Sequence, residues 1–328
     1  MARSRTAKSA ASARATKAHP TDTIWAYLVH VSYNMWDDRS GPERTPPQPY
    51  TAAQPYLRCD TSTWNELLDR LARAGANMVL MDLGDAVRYQ SHPEIAVRGA
   101  WSPKRLKREL AKARSMGIEP IPKLNFATTH DVWLGPYARC VSTDAYYRVC
   151  KDIIAEVIDL FDGPRFFHLG MDEESAFHQR FCEYVVVRQY DLWWHDALFL
   201  VDQVERGGVR AWIWSDYLWS RPEAFFDRMP ASVLQTNWHY GKSFSRKIGS
   251  VRAYLDLDAH GYDQVACGSS SHEPGNFLGT TRFCRRSIDP KRLLGFMQTP
   301  WRPTLPEFMD DHAASIAQLA EARAKWPE

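Results

Sequence analysis

From residue 23 onward the chain alternates short apolar runs with polar loops and amphipathic helical segments, and this alternation restricts the possible folds most strongly. Eight apolar runs recur, at residues 24–33, 77–83, 119–125, 165–169, 209–215, 232–237, 264–268 and 293–298. Runs this apolar are typical of strands buried on both faces of a parallel sheet. Eight strand and helix units predict an α/β protein, a single-domain (β/α)₈ barrel of the TIM type.

Helix signals separate the runs. Thr63 begins a capping box for a helix that Gly75 ends, and Ser102 is the predicted N-cap of the next helix. Further helices are predicted over residues 144–161, 174–206 and 305–325. The chain contains neither a GxGxxG nor a Walker sequence. A barrel is therefore favoured over a doubly wound nucleotide-binding sheet.

Composition restricts the partners and the domain division. Residues 1–20 carry five basic and no acidic side chains, so residues 1–22 are predicted to be a disordered basic tail, and residues 23–328 the barrel. The tail has no apolar stretch typical of a secretory signal, so the compartment stays open: cytoplasmic as written, or exported if the tail is a trimmed targeting sequence. The net charge of +2 gives no field that would attract nucleic acid, and no segment is apolar enough to span a membrane. The sequence leaves the oligomeric state open.

In such a barrel the loops that follow the strands form the active-site face. Polar and aromatic residues follow all eight predicted strands there. In chain order the candidates are Asn34, Trp36, Asp85, Arg88, Asn125, His130, Asp131, Asp172, Glu173, Trp214, Asp216, Trp238, Tyr240, Glu273 and Trp301. Carboxylates and amides bind hydroxyl groups, and aromatic faces pack on sugar rings. The set therefore predicts a carbohydrate substrate.

The fourth run ends in the sequence Phe-Phe-His-Leu-Gly-Met-Asp-Glu-Glu, which covers residues 166–174. Regular strand alternation would send Asp172 and Glu173 to opposite faces, whereas a bend at the strand end would bring both to one substrate. Crowded carboxylates raise one another's proton affinity, as a general acid requires. Glu174 is expected to begin a helix.

The pattern His168-x-Gly170-x-Asp172-Glu173 resembles the signature of glycoside hydrolase family 20, the β-N-acetylhexosaminidases. The resemblance implies a (β/α)₈ barrel with this motif at the end of its fourth strand. It also implies a retaining, substrate-assisted mechanism without a metal or other cofactor, in which Glu173 is the general acid and base and Asp172 orients the acetamido group. The residues that would line the acetamido pocket are Trp214, Trp238, Tyr240 and Trp301. Asp216 and His130 would be sugar contacts. Asn34, Trp36 and Asp37 stand where the family usually has an arginine, and Met171 would project into the site at a position where the family commonly has a small residue.

Three alternatives remain open from the sequence. A two-carboxylate retaining glycosidase would use Glu273 as its nucleophile, about 5 Å from the acid. A barrel that has lost catalysis would bind carbohydrate without cleaving it. A metal-dependent hydrolase is disfavoured, because the chain has no His-x-His after the first strand and no His-Glu-x-x-His.

Overall fold

The computed structural model describes residues 23–38 and 49–326, so the predicted tail at residues 1–22 lies outside the described residues. Eight parallel strands form a closed barrel in chain order, which confirms the predicted fold. They are β1 (Ile24–His30), β2 (Met78–Asp82), β3 (Glu119–Lys123), β4 (Phe166–His168), β5 (Arg210–Trp214), β6 (Leu234–Thr236), β7 (Gln264–Ser269) and β8 (Leu293–Thr299). The barrel closes where Ile24 of β1 pairs with Gly295 of β8.

Helices surround the barrel. The α-helices are α1 (Thr61–Ala74), α2 (Pro103–Ser115), α3 (Asp144–Leu160), α4 (Asp191–Arg206), α5 (Tyr217–Ser220), α6 (Pro222–Arg228), α7 (Gly249–Ala259), α8 (Asn276–Ser287) and α9 (Met309–Ala324). Short 3₁₀ helices lie at Pro49–Thr51, Gly84–Ala86, Pro93–Ile95, Val132–Tyr137 and Pro306–Phe308. No helix in the described part of the chain is long and apolar enough to cross a membrane.

Local capping chemistry explains where the first helices begin. The side chain of Asp60 accepts a hydrogen bond from the backbone N–H of Thr63 at 2.8 Å, so α1 begins two residues before the predicted capping box. Its C-cap, Gly75, has the left-handed conformation that this position favours. Ser102 caps α2 as predicted, because its hydroxyl accepts from the backbone N–H of Arg105.

The prediction of a helix from residue 174 to 206 is wrong in its first half, because residues 174–190 form an irregular segment and α4 begins at Asp191. Glu174, instead of starting a helix, accepts hydrogen bonds from the backbone and guanidinium N–H groups of Arg188. Arg188 is itself buried and also pairs with Asp196 at 3.0 Å. Buried charges of this kind are held by their partners, and here the partners require a folded-back loop.

Two apolar layers hold the fold together. The outer layer packs the helices against the strands, and the inner layer fills the barrel with side chains such as Leu28, Leu80 and Trp212. The interior also holds a charged pair, Lys123 with Asp82, which are the last residues of β3 and β2. The strands therefore present a packed, rigid floor to the loops above them.

Candidate active site

The chain turns abruptly after β4, and the turn determines where the acidic pair points. Gly170, Met171 and Glu173 have φ values of 71°, 75° and 56°, in the left-handed region that non-glycine residues rarely adopt. This backbone interrupts the strand alternation, so that the side chains of Asp172 and Glu173 line the same cavity. Strained backbone of this sort costs about 1–3 kcal/mol per residue and is concentrated at functional sites.

Met171 does not project into the site, contrary to the sequence-based expectation. Its side chain is buried in the outer apolar layer, and its sulfur lies 4.0 Å from a guanidinium nitrogen of Arg188. The left-handed conformation at Met171 turns the side chain away from the barrel mouth, which leaves the space beside Asp172 open.

Asn125, which follows β3, supports the turn and the first acid. Its Oδ1 accepts the backbone N–H of Met171 at 3.1 Å, and its Nδ2 donates to Oδ1 of Asp172 at 2.7 Å. A Cβ atom at Gly170 would overlap the Asn125 side chain, so this position requires glycine for space as well as for φ. The loop that follows β3 and the turn that follows β4 therefore hold each other in place.

His130 lies between the two acids. Its Nε2 is 3.4 Å from Oδ2 of Asp172 and 3.5 Å from Oε2 of Glu173, and the ring is buried. Burial alone would lower the pKa of His130, but the two carboxylates raise it to about 10. Burial would likewise raise the pKa of Asp172, but His130, Lys123 and the Asn125 amide hold it well below its usual range. Asp172 is therefore ionised and His130 protonated at neutral pH.

Glu173 has a less enclosed environment, and its side chain is 21% exposed. Its Oε1 lies 3.4 Å from Nε2 of His178, and its backbone N–H donates to Oδ2 of Asp216 at 2.9 Å. The other oxygen of Asp216 is buried and has no hydrogen-bond partner among the described residues. Burial, and then the charges of Asp172 and Glu173, raise the pKa of Asp216 to about 8. Asp216 is thus largely protonated at neutral pH.

The acids open into a cavity of about 310 Å³ with strongly aromatic walls. Its lining residues are Tyr33, Trp36, Thr51, Asp172, Glu173, Trp214, Trp238, Tyr240, Ser271, His272, Trp301 and Arg302. Tyr240 stacks on Trp238 with ring centroids 4.9 Å apart, and its hydroxyl oxygen accepts from Nε1 of Trp301 at 3.1 Å. Aromatic walls with a few polar groups suit a ligand that has both ring faces and hydroxyls.

Other predicted site residues lie elsewhere. Asn34 does not line the cavity but lies in a buried polar cluster, where its side-chain amide donates a hydrogen bond to Asp85 at 2.8 Å and its amide oxygen accepts one from Arg58. Burial raises the pKa of Asp85 to about 6. Asp131 is buried against Arg139 at 3.0 Å, and Arg88 is exposed. Asn34 thus links the loop after β1 to the loop after β2, and Asp131 holds Arg139 within the loop after β3. Asn125, His130 and Asp216, in contrast, contact the acids directly.

Glu273 lines a different cavity, of about 360 Å³, together with Lys242 and Arg282. Its neighbour His272 lines the aromatic cavity instead and stacks on Tyr240 with ring centroids 5.5 Å apart. His272 was expected at the end of the seventh strand, whereas Tyr33, Thr51, Ser271, Arg302 and the Glu173 contact His178 were not predicted. No periodicity distinguishes adjacent loop residues, so only their proximity to the predicted strand ends could have suggested them.

His130, Asp172 and Glu173 are also the group of described residues whose ligand atoms lie close enough to hold a metal ion, all within 4.8 Å of one another. A histidine that coordinates a metal must be neutral, however. The two carboxylates that raise the pKa of His130 to about 10 would be ligands of the same ion, so metal binding would have to displace the imidazolium proton.

Fold and site together define a (β/α)₈ barrel whose fourth strand delivers an acidic pair to an aromatic cavity. No protein-family model matches this chain, and no curated protein sequence matches it. Solved structures do share its fold. A β-N-acetylhexosaminidase from Bacteroides fragilis superimposes with a TM-score of 0.62 at 15% identity over 92% of this chain and 65% of that one.

Two further structures show the same fold. An exo-β-N-acetylglucosaminidase of family 20 from Vibrio harveyi, in complex with N-acetylglucosamine, has a TM-score of 0.62 and 14% identity over 93% of this chain and 54% of that one. Dispersin B has a TM-score of 0.56 and 14% identity over 80% of this chain and 94% of that one. This chain therefore spans about half to two thirds of the length of the first two proteins, and the similarity extends to the fold.

Proposed function

We propose that this protein is a glycoside hydrolase that cleaves β-linked N-acetylhexosaminides or related glycosides by a retaining, substrate-assisted mechanism. One observation carries the proposal. Asp172 and Glu173 are adjacent in the chain, yet both contact His130 and both line one aromatic cavity. A structure named as a β-N-acetylhexosaminidase and one named as an exo-β-N-acetylglucosaminidase share the fold at 15% and 14% identity, which supports the same function.

Glu173 is the general acid and base of this mechanism. It protonates the glycosidic oxygen in the first step and takes a proton from the attacking water in the second. Its carboxyl group reaches the cavity, and its two oxygens lie within 3.5 Å of His130 and His178. The backbone hydrogen bond to Asp216 holds the residue in its left-handed conformation. The carboxyl is thus positioned by contacts from three loops.

Asp172 orients the acetamido group, which is the nucleophile that the substrate itself supplies. In substrate assistance the acetamido oxygen attacks the anomeric carbon, and no protein nucleophile is needed. An ionised carboxylate that accepts from the acetamido N–H orients this group and stabilises the positive charge that develops on it. Asp172 fits this role because Asn125 fixes one of its oxygens and because it stays ionised at neutral pH.

The cavity walls supply the sugar contacts. Trp214, Trp238 and Trp301 present aromatic surface for the sugar ring and for an acetyl methyl group, while the Tyr240 hydroxyl adds a polar group between them. A cavity of about 310 Å³ with both acids in its lining suits one sugar residue held with its anomeric carbon near Glu173.

A panel of phenyl β-glycosides, with and without the 2-acetamido group, tests the proposal. Phenol is a poor leaving group and needs protonation, so Glu173→Gln should lower turnover of the acetamido substrates by about 10²–10⁴-fold. Glu307→Gln makes the same chemical change at an exposed position outside the cavity lining and should leave turnover unaltered. Circular dichroism spectra of both variants should match that of the wild type. Full activity of Glu173→Gln on the phenyl glycosides would refute the assignment.

A further inference from the structure

A further depression, of about 550 Å³, shares no lining residue with the aromatic cavity. We call it the α4–α6 groove, because it lies between the start of α4 and the helices α5 and α6 that follow β5. Its aromatic members are Tyr190, Trp194 and Tyr217. The starts of helices that follow barrel strands lie on the active-site face. Tyr217 directly follows Asp216, which binds the backbone of Glu173, so the groove adjoins the acidic site.

Tyr190 is the unusual residue of the groove. Its side chain is 62% exposed, and its backbone has φ 50° and ψ −123°, a sparsely populated conformation for a residue with a side chain. The guanidinium of Arg221 covers one side of the ring, 4.6 Å from its centroid. The fold gains little from holding an exposed aromatic ring in this way. A strained, exposed residue held in place by its neighbours indicates a role in binding.

The charged residues of the groove narrow the class of ligand. Three carboxylates and two guanidinium groups line it, and one pair, Arg228 with Asp191, is joined at 2.6 Å. The remaining carboxylates, Glu223 and Asp227, would repel an anionic ligand, and an apolar ligand would strip water from these groups without replacing their hydrogen bonds. Neutral hydroxyl groups can donate to the carboxylates and accept from Arg221, while a sugar ring packs on Tyr190.

We propose that the α4–α6 groove is a second carbohydrate-binding site, which holds neutral sugar units outside the catalytic cavity. Tyr190 is its aromatic platform, Arg221 positions that ring, and the carboxylates bind hydroxyl groups. The groove would retain a polysaccharide near the active-site face while a chain end occupies the cavity. This inference concerns binding and does not depend on the hydrolytic mechanism proposed above.

Native gel electrophoresis through gels that contain glycol chitin or hydroxyethyl cellulose tests the site. All proteins carry Glu173→Gln, so that the polymer is not cleaved during the run. The parent protein should be retarded by at least one polymer, and Tyr190→Ala should weaken that binding by at least about tenfold. Tyr184→Ala is the matched control, because Tyr184 belongs to the same loop and is 67% exposed but does not line the groove.

Arg221→Met provides a second variant, since it keeps an unbranched chain about as long as the aliphatic part of arginine but removes the guanidinium beside Tyr190. It should also weaken retardation, with an unchanged melting temperature as the check on folding. Equal retardation of Tyr190→Ala and Tyr184→Ala would overturn the proposal, and so would a parent protein that neither polymer retards. Gels that contain heparin, an anionic polysaccharide, are run in parallel, and retardation by heparin alone would overturn the assignment to neutral sugars. Because every protein in the gels is a Glu173 variant, these outcomes are independent of whether the wild type hydrolyses glycosides.

Discussion

His130 and Asp172 form a buried ion pair in the barrel mouth, with Nε2 and Oδ2 3.4 Å apart. Each partner shifts the other toward its charged form, since the pKa of His130 rises to about 10 and that of Asp172 falls well below its usual range. The charges are therefore in place before any substrate binds. Such preorganised electrostatics is the feature that enzymes use to stabilise developing charge.

The first prediction concerns the pH dependence of stability. A histidine whose pKa is raised by folding contributes stability that is fully present below its usual value of 6.5 and lost as the pH rises through about 10. His130→Gln should therefore lower the free energy of unfolding most at about pH 6, with a smaller loss at about pH 10. Urea denaturation at several pH values measures this difference. His195→Gln, at an exposed position, is the control. A loss in the free energy of unfolding of His130→Gln that stays constant with pH would contradict the ion pair.

The second prediction concerns Asp216, whose pKa of about 8 lies above its usual value of 3.8. As the pH rises, this carboxyl ionises at a lower pH in the unfolded chain than in the folded protein. The wild type therefore loses stability as the pH rises from about 4 to about 8. Asn cannot ionise, and its Oδ1 can still accept the backbone N–H of Glu173. The melting temperature of Asp216→Asn relative to wild type should rise across this window and then level off. Asp69→Asn, on the exposed face of α1, should show no such trend.

The third prediction separates backbone strain from steric overlap. Gly163 and Gly170 both have positive φ, 62° and 71°, but a Cβ atom meets nothing within 4 Å at Gly163 and overlaps Asn125 at Gly170. Gly163→Ala should destabilise the fold by about 1–2 kcal/mol. Gly170→Ala should cost about 1–3 kcal/mol more, because Asn125 must move, and should also disturb Asp172. Urea unfolding compares the two variants, and equal losses would show that the Asn125 contact is readily relieved.

Much of the fold could be predicted because its signals are local. Each apolar run contains a strand whose residues are almost all buried, and the caps at Ser102 and Gly75 lie where the sequence indicates. Placing the Asp172 and Glu173 pair after the fourth strand required only that the strands be counted. Strand order then set the position of the pair on the barrel.

The features that could not be predicted depend on contacts between distant segments. Arg188 folds the segment 174–190 back because Glu174 and Asp196 both bind its guanidinium, and no helical periodicity reports such a pairing. The positive φ at Met171 similarly depends on Asn125, which lies 46 residues earlier in the chain. The sequence does not distinguish one polar side chain after a strand from another, whereas packing in the fold directs some of them into the cavity and others between loops.

The fourth prediction separates substrate assistance from a two-carboxylate mechanism. In a two-carboxylate mechanism the nucleophile must lie about 5 Å from the general acid, here Glu173. Glu273 instead lines the cavity of about 360 Å³, together with Lys242 and Arg282. Glu273→Ala should therefore keep kcat/KM for phenyl acetamido glycosides within about threefold of wild type, a change of roughly 0.7 kcal/mol. Asp172→Asn should lower it by about 10²-fold or more, because the acetamido group loses its charged partner. A reversal of these two results, with Glu273→Ala inactive and Asp172→Asn active, would assign the nucleophile to Glu273.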